Sequence, residues 1–342
     1  MRSQRFGIEM EMTGITRKKA AEVIAAYFDT HEVYDSGTYD AYHVTDGQGR
    51  KWKVVSDASI HPAARDGRSA STLYKVEVVS PICHYEDIET IQELVRKLRH
   101  AGACVNRSCG IHIHVDAAPH SVKTLRNLVN IMVSKEDLLY KALAVDVARE
   151  DHYCQKTDLS FLEELNRKKP KSIENFERMW YHGDSRSYDH YDETRYHALN
   201  LHSVFSKGTI EFRLFNGTMH AGKVKTYIQL SLAISHQALV QKGASHSRTK
   251  STNEKYTFRT WLLRLGMIGE EFQTARKFLL ENLEGNIAWK DPVQAERQKE
   301  RLAAKRMEEA AQSMQGREAE ETAEQESETE TQQDEGFTMQ MF

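Results

Sequence analysis

Cysteine is scarce in this chain: four residues in 342, at Cys83, Cys104, Cys109 and Cys154. No two of them form a C-x-x-C pair, so neither a disulfide framework nor a cysteine-based zinc module is on offer. Reduced thiols of this kind point to a cytoplasmic protein. Long apolar runs are also missing; none approaches the ~20 residues needed to span a bilayer. The N-terminus carries Arg2 and Arg5 but passes at once into a segment containing Glu9 and Glu11, which excludes a secretory signal. A dominant charge sign is absent as well. The net charge of −3 gives no specific nucleic-acid signal. Finally, there is no glycine-rich P-loop, so any phosphate must be held by side chains or metals.

The near-neutral charge conceals an asymmetry. Residues 316–342 carry nine acidic side chains against the single Arg317, a net of −8 that leaves the rest of the chain at +5. We therefore expect residues 1–291 to form a folded body, with 150–195 as an insertion or lid. Residues 292–342 should run from a solvated, charged helix into an acidic disordered tail, available to a partner or merely solubilising.

What the body does contain is a recurring alternation. In Phe6-Gly7-Ile8-Glu9-Met10-Glu11-Met12 the apolar residues occupy every second position, as in a strand with one buried face. The two carboxylates then share the other face, about 6.5–7 Å apart at strand rise. Gly110-Ile111-His112-Ile113-His114-Val115-Asp116 repeats the pattern with two imidazoles and a carboxylate. Thr209-Ile210-Glu211-Phe212-Arg213-Leu214 repeats it with a carboxylate beside a guanidinium. Lys75-Val76-Glu77-Val78-Val79-Ser80-Pro81 places Glu77 in a run of valines, where it must face the polar side or find a partner. Lys53, Asp57, Arg195 and Asn200 are weaker candidates to line the same surface.

Between these segments the pattern predicts a helix over 17–28 capped by Thr16, and strands at 31–34, 39–44 and 51–56. Further strands are expected at 73–79 and 103–115, and helices near 88–98 and from Ser121 onward. A strand pair at 196–205 and 209–215 should turn at Lys207-Gly208. Helices near 223–240 and 258–282 complete the body. Strands joined by hairpins and crossovers, with helices between, give an α+β fold with a mainly antiparallel sheet.

The four motifs, Gly-Ile-Glu-Met-Glu, Glu-Val-Val-Ser-Pro, Gly-Ile-His-Ile-His-Val-Asp and Thr-Ile-Glu-Phe-Arg, occur in that order. In this the chain resembles the amidoligase family, grouped with glutamine synthetase and glutamate–cysteine ligase among the carboxylate–amine ligases. The resemblance spans about residues 5–240. It implies a glutamine-synthetase-like curved sheet with helices on its convex face, and ATP with two or more Mg2+ ions on the other. Glu9, His112 and Glu211 would then share one metal, and Glu11 and Glu77 the second. Asp57 is a candidate for a further carboxylate on that second ion. His114 and Arg213 would meet the nucleotide phosphates, with Lys53 and Asn200 beside them, and Arg213, Glu211 and His114 would carry the chemistry. Small-molecule or peptide amines and carboxylates are the implied substrates. Two other readings compete. His114 and Asp116 form the H-x-D half of a non-haem iron facial triad, completed by His197, His202 or His220. A non-catalytic scaffold with an adaptor tail is the other. The iron reading leaves Glu9, Glu11, Glu77 and Glu211 without a role.

Overall fold

The computed structural model describes residues 1–36, 40–291, 293–294 and 296–315. The chain divides into two units, Met1–Glu284 and Gly285–Phe342. In the second, residues 296–315 are helical with exposed side chains; the expected acidic tail lies outside the described residues.

The first unit begins with β1 (Phe6–Met12), α1 (Arg17–Phe28), β2 (Glu32–Ser36), β3 (Ala41–Thr45), β4 (Lys51–Val55), β5 (Val76–Val79), α2 (Asp87–His100) and β6 (Gly110–Asp116). It continues with α3 (Val122–Leu143), α4 (Val147–His152), α5 (Leu159–Lys168), α6 (Ile173–Trp180), β7 (Leu199–Asn200), α7 (His202–Lys207) and β8 (Thr209–Asn216). It ends with α8 (Ala221–Val240), α9 (Glu254–Arg264) and α10 (Gln273–Leu280). The strands form one sheet in the order β2-β3-β4-β5-β1-β6-β8-β7, every neighbouring pair antiparallel. The architecture is α+β.

The alternation explains where the core lies. Phe6, Ile8, Met10 and Met12 of β1, Ile111, Ile113 and Val115 of β6, and Ile210, Phe212 and Leu214 of β8 are all buried in one apolar cluster. Packed with them are the apolar stripes of α1, α2 and α3, and α8, which is buried around most of its circumference. Helix starts follow their caps. Thr16 accepts from Lys19 N at 3.2 Å, and Ser121 and Thr124 form a reciprocal capping box at the head of α3.

Three expectations need correction. The strand read at 103–115 is shorter: residues before Gly110 form a turn in which Asn106 accepts from Ser108 N at 3.0 Å. In 73–79 the first residues are a single helical turn, and the strand starts at Val76. The strand pair across Lys207-Gly208 is replaced by a two-residue strand and a helix. Asn200 Oδ1 accepts from Ser203 N at 3.4 Å at the start of α7. At its end Gly208 adopts φ 71° and returns its N–H to Ser203. A left-handed glycine closes a helix here, where sequence alone suggested a hairpin.

Candidate active site

Register brings the polar motifs together. Glu9 stands opposite His112, Glu11 opposite Glu77, and His114 opposite Glu211. Directly opposed residues have Cβ atoms about 4.5–5.5 Å apart, so these side chains meet. Two donor groups result: Glu9, His112 and Glu211, and Glu11, Glu77 and His112. Within each, the ligand atoms all lie within 4.8 Å of one another.

Hydrogen bonds fix most of these groups. Glu211 Oε2 accepts from Asn200 Nδ2 at 2.6 Å, and its Oε1 accepts from Arg213 Nη1 at 2.5 Å. Arg213 Nε donates to the Tyr153 carbonyl at 3.3 Å. Glu9 lies between two imidazoles: Oε2 is 3.1 Å from His112 Nδ1, and Oε1 is 3.1 Å from His114 Nε2. The second contact has ion-pair distance without hydrogen-bond alignment, leaving His114 Nε2 with no hydrogen-bond partner. His114 Nδ1 is held by Thr209 Oγ1 at 3.1 Å. Glu11 accepts the Gly110 backbone N–H at 2.6 Å.

Charge is distributed unequally across this face. Burial alone would raise Glu9 and Glu211, but charged and hydrogen-bonding neighbours outweigh it. His114 and His112 hold Glu9 well below the ordinary carboxylate range. Arg213 and His114 bring Glu211 to about 2. Glu11 is less fully compensated; burial, then the charge of Asp57, pushes it up to about 7 against the opposing pull of Arg149, the Gly110 N–H and Arg213. Glu77 is raised well above its usual value by burial and by Glu9 and Glu11. His112 is lowered to about 4, first by burial and then by Arg213. His114 is raised because Glu9 and Glu211 overcome its burial. One end of the cluster is internally neutralised; at the other, Arg149 and Arg213 do not offset burial and the repulsion among carboxylates.

Three cavities open onto the cluster. One of about 130 Å³ is lined by Glu9, Glu11, Asp57, Glu77, His112 and Arg213 together with Arg149, Tyr153, Tyr191, Arg195 and Tyr196. A second, of about 300 Å³, touches Glu9 and His114 and is walled by Ile8, Val79, Pro81 and Ile82 with Lys207. The third, about 320 Å³, reaches Glu211 past Asn200, Arg195 and Tyr188. A larger cavity of about 710 Å³ at Lys168–Lys171 and Arg178 includes no cluster residue.

The structure therefore gathers Glu9, Glu11, Glu77, His112, His114, Glu211 and Arg213. Asp57 lines the cavity beside Glu11 and Glu77, with Oδ1 engaged by Ser59 N at 2.6 Å. Asn200 touches the cluster through Glu211. Lys53 is exposed and borders none of these cavities. The residues of the iron-triad reading form no donor group among the described residues, and each has another partner. Asp116 pairs with Arg5 at 2.6 Å, His197 binds the Thr194 carbonyl, His202 binds Tyr181, and His220 caps α8. Sequence reasoning missed Arg149, Tyr153 and Lys207. Arg149 is buried beside Gly110, and a glycine opening the His-x-His strand was the available signal for close approach.

An antiparallel sheet whose polar face carries four glutamates, two histidines and an arginine defines an α+β protein with an acidic, imidazole-bearing face. The chain belongs to the amidoligase family: the family model described as "Putative amidoligase enzyme" matches residues 2–235. Among solved structures the chain is similar to a bifunctional glutathione synthetase from Pasteurella multocida. Identity is 12% and the TM-score 0.37, with 81% of this chain and 46% of that one covered. The chain thus spans about half the length of that one. A search of curated proteins gives no match. Among the described residues, no helix is long and apolar enough to cross a membrane.

Proposed function

We propose that the chain is an ATP-dependent carboxylate–amine ligase that forms an amide through an acyl phosphate, on a sheet curved like that of glutamine synthetase. The observation carrying this is the convergence of two carboxylate–imidazole groups and a buried Arg213 on one sheet face. Mg2+ takes oxygen ligands at about 2.0–2.1 Å, so donors on opposite sides of one ion are about 4.2 Å apart. Donor atoms already within 4.8 Å of each other need shift only slightly to share an ion. Glu9, His112 and Glu211 would hold one Mg2+, and Glu11 and Glu77, with His112 in reach, the other. Bound there, the ions would neutralise phosphate oxygens as the phosphoryl group moves.

The chain's own residues supply the rest. A carboxylate is a poor electrophile because it is anionic and would have to expel oxide; phosphorylation gives it a stable leaving group. An amine then attacks to give the amide, with ADP and phosphate released. Arg213 is fixed by Glu211 and the Tyr153 carbonyl, so its remaining donors are preorganised for charge on the transferred group. Asn200 acts by holding Glu211. The apolar cavity beside Glu9, with Lys207 at its rim, suits a nucleoside whose phosphates reach the cluster. The exposed Tyr188 and Tyr191, in the excursion after α6, border the open side where substrates enter.

The test is incubation of the full chain with Mg-ATP and a pooled library of amines and carboxylic acids. ADP formation should accompany a product whose mass is acid plus amine minus water. AMP as the stoichiometric product would overturn the acyl-phosphate route, and no nucleotide turnover with any pool would overturn the ligase.

A further inference from the structure

Among the described residues, three arginines of the first unit are buried, and two of them have a carboxylate partner. Arg17 donates to the carbonyls of Asp40, Thr72 and Lys75 and pairs with the Asp40 carboxylate. Arg213 pairs with Glu211 and donates to the Tyr153 carbonyl. Arg149, on α4, is 2% exposed, yet its side chain makes one hydrogen bond, from Nη2 to the Arg213 carbonyl at 3.3 Å. Its Nε is buried with no partner, and among the described residues no carboxylate lies within ion-pair distance of it. A buried guanidinium has five donors to satisfy and a charge that is costly to leave unpaired.

The surroundings keep it in that state. Asn216, at the end of β8, accepts from Asp146 N at 3.1 Å and donates to the Ala144 carbonyl at 2.7 Å. The start of α4 is thereby tied to the sheet. The guanidinium lies against Gly110, where a Cβ would come within 2.4 Å of Nη2. It borders the 130 Å³ cavity with Glu11, Asp57 and Glu77.

We propose that Arg149 is an anion-binding residue that holds a carboxylate of the acid substrate in this cavity, on the Glu11–Glu77 side of the cluster. The word substrate rests on the ligase reading; the anion site does not. The planar fork matches a carboxylate in bidentate fashion, and the burial and missing partner are what a ligand would complete. Phosphate shares part of that chemistry, so the test separates the two.

The full-length wild type and the variants Arg149→Met and Arg149→Lys are titrated in MgCl2 with sodium acetate, sodium glutarate or inorganic phosphate, against sodium chloride at matched ionic strength. Melting temperature and the Nε–H resonances of the arginines are read. We expect at least one carboxylate to stabilise the wild type saturably and to shift the Arg149 Nε–H signal. Arg149→Met should weaken that binding by about tenfold or more, the loss of hydrogen bonds to a charged group, and Arg149→Lys by less. The Mg-ATP stabilisation should stay equal in all three proteins. If neither carboxylate stabilises the wild type, or Arg149→Met responds as the wild type does, the proposal is overturned. If Arg149 instead answers to phosphate, or its variants lose the Mg-ATP response, the residue belongs to the nucleotide and the proposal is again overturned. Should Arg149→Met fail to fold, the wild-type Nε–H shift and Arg149→Lys decide. A wild type that binds carboxylate through Arg149 but ignores Mg-ATP would remove the ligase reading and leave the anion site standing.

Discussion

Glu211 and Arg213, two residues apart on β8, are 2% and 5% exposed and form an ion pair with each other. This pair divides the glutamates of the cluster into two kinds. Taken as a self-repelling set, any of them should stabilise the metal-free protein when neutralised. The structure limits that to Glu11 and Glu77. Glu211→Gln strands the Arg213 charge in the interior, and the metal-free protein should lose about 3 kcal/mol, typical of breaking a buried pair. Glu9→Gln should cost less, about 1–2 kcal/mol, because His114 can release its proton. Glu11→Gln should raise the melting temperature. All three should weaken stabilisation by Mg-ATP and lower turnover by about 100-fold or more. Parallel melting curves with and without Mg-ATP check the signs; equal behaviour of all three in the metal-free protein would refute the division.

The pH dependence of Glu11→Gln follows from the same contrast. Glu11 titrates near 7 in the folded chain against 4.5 for an unperturbed carboxyl. Between those values the folded state keeps a proton that the unfolded state has released. This residue's contribution therefore falls as pH rises from about 4.5 and levels off above 7. The stability gap between Glu11→Gln and wild type should open over that window, to at most about 3.4 kcal/mol, 2.5 units at 1.36 kcal/mol each. Millimolar Mg2+ should narrow it by ionising Glu11 in the wild type. A pH-independent gap in denaturant titrations would contradict the assignment.

Arg213→Lys should fold but lose most activity. An ammonium is a compact point charge and cannot reproduce the planar fork that reaches Glu211, the Tyr153 carbonyl and a phosphoryl oxygen in their separate directions. Turnover measured beside Mg-ATP stabilisation separates this from a binding defect, which would show in both.

Gly110→Ala is expected to cost about 1–3 kcal/mol, the range for overpacking, since Arg149 must move to admit the methyl group. The Glu11 contact to the Gly110 N–H needs only backbone, so the sheet should persist. Circular dichroism and thermal melting test this: an unchanged melting temperature would mean that the guanidinium relocates freely.

A chain ending at residue 291 should keep its fold and its Mg-ATP response, because every residue of the cluster lies before Glu284. Loss of either in the truncated protein would move the functional boundary into the charged segment.

Much of this was legible because β1, β6 and β8 as far as Leu214 alternate, and period-two alternation assigns faces without further information. Glu9, Glu11, His112, His114, Glu211 and Arg213 follow from it. The segment 196–205 was misread because its fate is decided by single contacts: the Ser203 N–H to Asn200 Oδ1 and the left-handed Gly208 accompany α7 where a strand was plausible. Arg149 was invisible for a different reason. Six residues of helix carry no usable period, and the partners of Arg149, Gly110 and the Arg213 carbonyl, lie 39 and 64 residues away in sequence. Local pattern cannot report a contact that only tertiary packing creates.

His112 belongs to both donor groups, and with its titration lowered to about 4 it is neutral near pH 7, with one lone pair to give. Only one group can count three protein donors at any moment; the other is left with two glutamates. Two ions on this face would be unequal occupants. The first to claim the ring is the better held, and the second keeps more coordination positions for water or an arriving reactant. One histidine turns a symmetrical-looking pair into an order of filling, and a metal titration should show two steps of different strength.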